Sequence, residues 1–219
     1  HQVITEFLRG ARVVFDLLAQ RVAQHLRHFR TAHPPRPARH GKRQEVFAEN
    51  DRPRKHRRRF LERALPVAGH SEVLVCGAGP AGIGAALAAA RAGAKTTLIE
   101  SAGCLGGVWT AGMLTKIIDG GRKTGIMQEI LRAMVERGSD VAKKTKGEIY
   151  DPELMKLVLE EMCVTAGIRI QLHTQLVGAV TNRQNRLVAV VTESKSGRQV
   201  WTAERFVDCS GDGDLAAQA

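Results

Sequence analysis

The sequence predicts an α/β domain with a central parallel sheet over residues 70–219, and three observations support this class. A short apolar run, Val73–Val75, is followed directly by a glycine-rich turn and an alanine-rich stretch of helical length. A second apolar run, Thr96–Ile99, comes next, in the order of a strand–helix–strand unit. Between residues 176 and 203, three short strand-like segments are separated by turn residues, which predicts an antiparallel meander.

The turn after the first strand has the spacing Gly-x-Gly-x-x-Gly, at Gly77, Gly79 and Gly82. In such a turn the first glycine allows a tight bend, the second lets a phosphate approach the backbone, and the third brings helix and sheet together. Pro80 and Ala81 stand where the helix begins, and its free N–H groups and positive dipole end favour an anion. The pattern predicts a site for the pyrophosphate of a dinucleotide.

The second strand ends at Glu100, 18 positions after Gly82, and Ser101 follows it. A carboxylate at this place can accept hydrogen bonds from both hydroxyls of a ribose. Because strand, turn, helix, strand and carboxylate occur in the expected order, a glycine-rich turn of another doubly wound protein is the less favoured alternative. The pattern by itself does not separate FAD from NAD.

Helix signals define the next elements. A helix is expected from Gly125 to about Glu136, with Thr124 as its cap. Asp151 and Pro152 are typical of the N-cap and first position of another helix, which Gly167 ends. The apolar spacing of that helix predicts four core-facing side chains, Leu154, Leu157, Val158 and Met162.

The remaining strands complete the predicted sheet. A third parallel strand is expected over Ile168–Leu172 and a fourth over Phe206–Cys209. Between them, the expected meander strands are Leu176–Thr181, Leu187–Glu193 and Gln199–Ala203.

Four segments give the chain a resemblance to a known family. They are GAGPAGIGAALAAARAGAKTTLIE, CLGGVWTAGML, YDPELMKLVLEEMCVTAGI and VDCSGDGDLA, within residues 70–219. With them the chain resembles the N-terminal part of FAD-dependent oxidoreductases of the glutathione-reductase-like FAD/NAD(P)-binding superfamily. The resemblance implies a three-layer ββα, Rossmann-like domain and FAD as the cofactor. It also implies hydride-transfer chemistry on a small-molecule substrate that the sequence does not identify.

The resemblance implies further cofactor-binding residues. By position, Gly106 and Gly107 would lie along the FAD pyrophosphate, and Gly211 and Asp212 near the pyrophosphate or the ribityl chain. An ordinary turn is the alternative for the glycine pair, and an N-cap or turn residue for Asp212. The backbone near Leu176 would lie beside the adenine. No catalytic residue is assigned, because family members carry their substrate domain, and any contacts with NAD(P)H or another electron partner, in a later part of the chain.

Charge divides the chain near residue 70. The net charge is +11, and residues 1–70 hold 16 of the 33 Lys and Arg but 6 of the 22 Asp and Glu. We expect residues 1–69 to form a basic arm, with an amphipathic helix over about 3–29 and then a linker. Three interpretations of the arm are open: a largely disordered extension, a segment that binds nucleic acid or an anionic surface through Arg52–Arg59, and a targeting or non-native sequence.

Cysteine spacing and hydropathy restrict the function classes. Cys76, Cys104, Cys163 and Cys209 are widely spaced, which favours free thiols and a reducing, cytoplasmic compartment and provides no metal-ligand motif. Trp109 stands where a disulfide reductase would have the second cysteine of its redox pair. No apolar run reaches the roughly 18 residues of a membrane span. The favoured hypothesis is the FAD-binding part of an oxidoreductase. A truncated non-catalytic dinucleotide-binding fragment and a protein acting through its basic arm are the alternatives.

Overall fold

The structure is a computed structural model that describes residues 64–117, 123–139 and 148–219. The amphipathic helix predicted over 3–29 and the basic run Arg52–Arg59 lie outside the described residues.

The described residues form one six-stranded mixed sheet and one short strand pair. In chain order the strands are β1 (Val67–Cys76), β2 (Thr96–Ile99), β3 (Lys116–Ile117), β4 (Glu148–Ile149), β5 (Arg169–Gln171), β6 (Gln175–Thr181), β7 (Leu187–Ser194) and β8 (Gly197–Asp208). The large sheet has the order β5-β2-β1-β8-β7-β6, and β3 pairs with β4. Strands β5, β2, β1 and β8 are parallel, whereas β8, β7 and β6 form the antiparallel meander.

Four α-helices accompany the described strands: α1 (Pro80–Arg91), α2 (Ile126–Glu136), α3 (Pro152–Thr165) and α4 (Asp214–Gln218). Helix α3 begins as predicted, because the Asp151 side chain accepts a hydrogen bond from the Glu153 N–H at 2.8 Å and Pro152 occupies the first turn. The cap predicted for α2 is wrong. Its N-cap is Gly125, with φ 65°, a backbone conformation that suits glycine better than Thr124.

Strand β8 corrects the predicted division of the last strands. The segment expected at 199–203 and most of the one expected at 206–209 belong to one strand of 12 residues, which ends at Asp208. Its first half pairs with β7, while it also runs along β1 as far as the Cys76↔Asp208 pair. Strand β1 is longer than its apolar run as well, and it begins at Val67. The hydrogen bonds between strands join backbone groups, so a strand can continue through positions whose side chains are polar and exposed. Strands β1 and β8 are therefore longer than the apolar runs that predicted them.

Two apolar clusters give the domain three layers. Helices α1, α2 and α3 pack on one face of the parallel strands, whereas the meander and α4 pack on the other face. The predicted three-layer α/β class is confirmed. One predicted core residue is wrong: Leu157 of α3 is 56% exposed. It lies two positions from both Met155 and Leu159, which face the core, and two positions turn a helix by about 200°.

The carboxyl ends of β1, β2 and β8 meet at one edge of the sheet. Strand β1 lies between the other two. The Gly77 N–H donates to the Ile99 carbonyl at 2.8 Å, and the Cys209 N–H donates to the Cys76 carbonyl at 2.8 Å. The three segments that leave these strands are therefore joined by hydrogen bonds. Open α/β sheets bind their ligands at this edge.

Candidate cofactor-binding site

The three glycines of the turn after β1 have different surroundings. Gly77 has φ 97°, and a Cβ there would lie 2.3 Å from the Cys209 carbonyl oxygen. A Cβ on Gly82 would lie 1.8 Å from the Gly77 carbonyl oxygen, so α1 packs directly against the turn. Gly79 has φ −66°, which any residue adopts, and a Cβ there would meet no described atom within 4 Å. The open space above Gly79 lies at the N-terminus of α1.

A cleft of about 300 Å³ opens at this edge of the sheet. Nine of the twelve residues predicted to bind the cofactor line it: Gly77, Gly79, Pro80, Ala81, Glu100, Ser101, Gly107, Leu176 and Gly211. The other three, Gly82, Gly106 and Asp212, do not line it. Gly82 packs behind the turn, and Asp212 is exposed to solvent.

Glu100 is buried and binds the backbone of its surroundings. Its Oε2 accepts a hydrogen bond from the Ala78 N–H at 2.6 Å. Its Oε1 accepts from the Ser101 hydroxyl at 3.0 Å and from the Ala102 N–H at 2.7 Å. A carboxylate has about four acceptor positions, so roughly one remains, on Oε2. Three acceptor positions of Glu100 are thus used within the protein, and its binding to a ribose stays a prediction.

Gly106 and Gly107 pack against the glycine-rich turn that follows β1. The Gly106 N–H donates to the Ala78 carbonyl at 2.8 Å. A Cβ on Gly107 would lie 2.8 Å from the Gly79 Cα. Both residues have positive φ, 108° for Gly106 and 54° for Gly107, so glycine is favoured at both positions. Gly107 lines the cleft beside Gly79, and Gly106 joins it to the turn through Ala78.

The segment after β8 is organised by Asp208, an acidic residue to which the sequence pattern gave no role. Its Oδ1 accepts hydrogen bonds from the N–H and hydroxyl of Ser210, at 3.0 and 2.7 Å, and its Oδ2 accepts from the Ala216 N–H at 2.9 Å. Burial raises the pKa of Asp208, but these hydrogen bonds outweigh burial and leave the pKa below its ordinary value. Asp208 thereby holds the start of α4 against the end of β8.

Eight further residues line the cleft without having been predicted. They are Cys76, Ile99, Val108, Thr174, Gln175, Cys209, Ser210 and Asp214. Several are the last residues of parallel strands or the first residues after them, and that position was the signal that could have identified them. Thr174 has no such signal. Its N–H donates to the Glu100 carbonyl at 2.9 Å, a contact that exists only in the folded chain.

The cleft suits a diphosphate bound by backbone groups. The described residues that line it include no Lys or Arg, and its acidic side chains are Glu100 and Asp214. An anion there is favoured by the dipole and free N–H groups of α1. The open space above Gly79, the helix N-terminus and the partly used Glu100 carboxylate therefore fit a dinucleotide.

Comparison with protein families decides which dinucleotide it is. The family model described as FAD dependent oxidoreductase matches residues 72–219. This chain belongs to the FAD dependent oxidoreductase family. Its cofactor is FAD. No curated protein matches the chain.

Solved structures of other proteins share the fold. Thermovibrio ammonificans THI4 superposes with a TM-score of 0.52 and 20% identity, over 68% of this chain and 61% of that protein. A geranylgeranyl bacteriochlorophyll reductase-like protein from Thermoplasma acidophilum has a TM-score of 0.53 and 17% identity, over 68% of this chain and 42% of that protein. The chain thus spans less than two thirds of the length of each. Among the described residues, no helix is long and apolar enough to cross a membrane.

Proposed function

We propose that residues 64–219 form the FAD-binding part of an enzyme that oxidises or reduces a small organic molecule by hydride transfer. One observation carries the proposal. A Cβ on Gly77 or Gly82 would clash with backbone atoms, whereas a Cβ on Gly79 would meet no described atom within 4 Å. A turn that served only the fold would not need glycine at position 79, because neither its φ nor its surroundings exclude a side chain. Approach of a ligand to the backbone accounts for the glycine.

The start of α1 supplies donors for the diphosphate. The first hydrogen bond of this helix runs from the Ile83 N–H to the Gly79 carbonyl, at 3.0 Å. The N–H groups of Ala81 and Gly82 precede it and have no acceptor within the helix. Pro80 has no N–H to contribute. Of Ala81 and Gly82, Ala81 lines the cleft. We propose that the Ala81 N–H binds the diphosphate and that the dipole of α1 favours its charge, so that no cationic side chain from the cleft is needed.

The sheet order suggests the direction of the cofactor. Glu100 and Thr174 stand on the β2 side of the turn, and Ser210 and Gly211 on the β8 side. We propose that the Glu100 side holds the adenosine half and the β8 side the ribityl half. FAD, when bound, supplies a ring that accepts or donates a hydride, and the protein orients it. The proposed partners are a small-molecule substrate and an electron partner such as NAD(P)H.

The nucleotide content of the purified chain tests this proposal. The protein is denatured, and the released nucleotide is identified by mass spectrometry. In parallel, FAD is added to the nucleotide-free chain and its binding is followed by flavin fluorescence. We expect FAD to be released, or to bind with a defined stoichiometry. A chain that releases no nucleotide and binds no added FAD would refute the proposal for residues 64–219.

A further inference from the structure

Tyr150 joins the N-terminus of α3 to a loop beside the cleft. The loop consists of residues 108–115. The Tyr150 side chain is 5% exposed, and its hydroxyl lies 2.9 Å from the Trp109 carbonyl oxygen and 2.8 Å from the Leu114 carbonyl oxygen. Its N–H donates to the Thr115 carbonyl at 3.1 Å. One hydroxyl proton is shared by two carbonyls, so a single side chain holds both ends of the loop.

The 108–115 loop is apolar, exposed and conformationally constrained. Val108, Met113 and Leu114 are 53%, 63% and 45% exposed. Met113 has φ 55°, a left-handed conformation that a methionine rarely adopts. Such a conformation persists only where the surrounding structure holds it, and it is frequent at ligand clamps. Here the surrounding structure includes the Leu114 N–H, which donates to the Val108 carbonyl at 2.9 Å, and the Tyr150 hydroxyl.

The loop begins where the diphosphate is proposed to bind. Gly107 packs on Gly79, and the next residue, Val108, lines the cleft. Met113 and Leu114 of the same loop are exposed. The apolar side chains of the loop are therefore available to the part of the cofactor that extends beyond the diphosphate.

We propose that Tyr150 is a positioning residue for the flavin half of FAD, because it holds the 108–115 loop as an apolar wall next to the flavin ring. Tyr150 itself lies behind the loop and acts through Trp109 and Leu114. The inference rests on the proposed function, since it presumes that the cleft binds FAD. It predicts that loss of the hydroxyl weakens binding of FAD but not of ADP, which contains only the adenosine diphosphate part.

Tyr150→Phe tests the inference by the ratio of FAD to ADP affinity. Thr96→Val is a matched control, because it also removes a buried hydroxyl that donates to a carbonyl, that of Ala94 at 3.0 Å. Thr96 begins β2, at the sheet edge opposite the cleft. We expect Tyr150→Phe to bind FAD about tenfold more weakly, with ADP affinity within about twofold of wild type. Thr96→Val should leave the ratio unchanged.

A second pair of variants tests the loop without removing a core side chain. Met113→Val places a β-branched residue at positive φ and should displace the loop, whereas Met113→Gly accepts the same backbone. We expect Met113→Val to reproduce the selective loss of FAD affinity and to bind FAD at least about fivefold more weakly than Met113→Gly. Equal FAD affinity of these two variants would contradict the inference, even if Tyr150→Phe does not fold.

Hydrogen exchange separates the inference from the proposed function. In Tyr150→Phe without nucleotide, the amides of residues 109–114 should exchange faster, while those of β1 are unchanged. If wild type binds neither FAD nor ADP, the proposed function fails and so does the inference about the flavin. If wild type binds both and Tyr150→Phe loses affinity for both equally, or exchanges like wild type, only the inference fails.

Discussion

Replacing Gly79 with valine should separate cofactor binding from folding. The backbone of Gly79, at φ −66° and ψ −175°, is extended and accepts a valine. No described atom lies within 4 Å of a Cβ at this position. The side chain would therefore occupy the open space above the turn, where the diphosphate is proposed to lie.

The expected change in folding stability is small. Glycine is a better N-cap than valine, which costs about 1 kcal/mol. Loss of a glycine also restricts the unfolded chain, and this stabilises the protein by about 0.4–1 kcal/mol where the native backbone suits the new residue. The two effects oppose each other. We expect the free energy of unfolding to change by no more than about 1 kcal/mol, which shifts Tm by roughly 2–4 °C for a domain of this size.

The expected change in FAD affinity is large. A valine side chain keeps the diphosphate from the Ala81 N–H and from the N-terminus of α1. A hydrogen bond to a charged group contributes about 1.5–3 kcal/mol and the helix dipole about 0.3–1 kcal/mol, so their loss weakens binding by about 2–4 kcal/mol. This corresponds to a Kd at least about 30-fold higher. FAD titration followed by flavin fluorescence measures it, with thermal unfolding recorded on the same samples.

Gly82→Ala, in the same turn, is expected to destabilise the fold and is compared with Gly79→Val. Its Cβ would lie 1.8 Å from the Gly77 carbonyl oxygen, so the helix or the turn has to move. Overpacking of this kind costs about 3 kcal/mol, or roughly 6–12 °C in Tm. A Gly79→Val protein that binds FAD like wild type, or that loses as much stability as Gly82→Ala, would refute the assigned roles of the two glycines.

Three further predictions concern charge and burial. Glu100→Gln replaces a carboxylate that accepts three hydrogen bonds with a neutral amide. We expect the free energy of unfolding, measured in urea, to fall by about 1.5–3 kcal/mol, and a smaller decrease would contradict the structural role of Glu100. The folded pKa of Asp208 is depressed, so its contribution to stability is present above about pH 4 and lost as pH falls through the folded pKa; acid unfolding of Asp208→Asn should show a shallower pH dependence below pH 4. Burial raises the pKa of Cys76 and of Cys163 to about 12, which lowers the thiolate fraction at pH 8. Both cysteines should therefore react with a thiol reagent on the order of 1000-fold more slowly in native than in unfolded protein, as measured by peptide mapping.

Features that depend on neighbouring residues were predictable. The turn at Gly77 and Gly82, the cap at Asp151 and the strand–helix–strand order all agree with the structure. Each depends on backbone conformation or on contacts over a few positions. Two local predictions, the cap of α2 and one core-facing residue of α3, were nevertheless wrong. Gly125 replaced Thr124 as the cap, and Leu157 lies on the outer face of α3.

Features that depend on distant pairing were not predictable from the chain alone. Strand β8 joins two predicted strands because it pairs with β1 and β7 at once. The hydrogen bonds of Asp208 to Ser210 and Ala216, two and eight positions along the chain, were not predicted either. The role that the resemblance implies for Asp212 near the cofactor stays a prediction. Nor did the sequence predict that backbone N–H groups and a neighbouring hydroxyl occupy most of the acceptor positions of Glu100.

The amino-acid sequence by itself determined the class of domain and the dinucleotide turn, because glycine spacing, helix caps and apolar periodicity are properties of short segments. Only the tertiary structure decided how the cleft is assembled. Glu100 binds Ala78 across 22 positions, and Tyr150 binds Trp109 across 41. The first pair forms where parallel strands bring their carboxyl ends to one edge, and the second where the chain after β4 packs against the 108–115 loop. No local pattern encodes which side chains then meet.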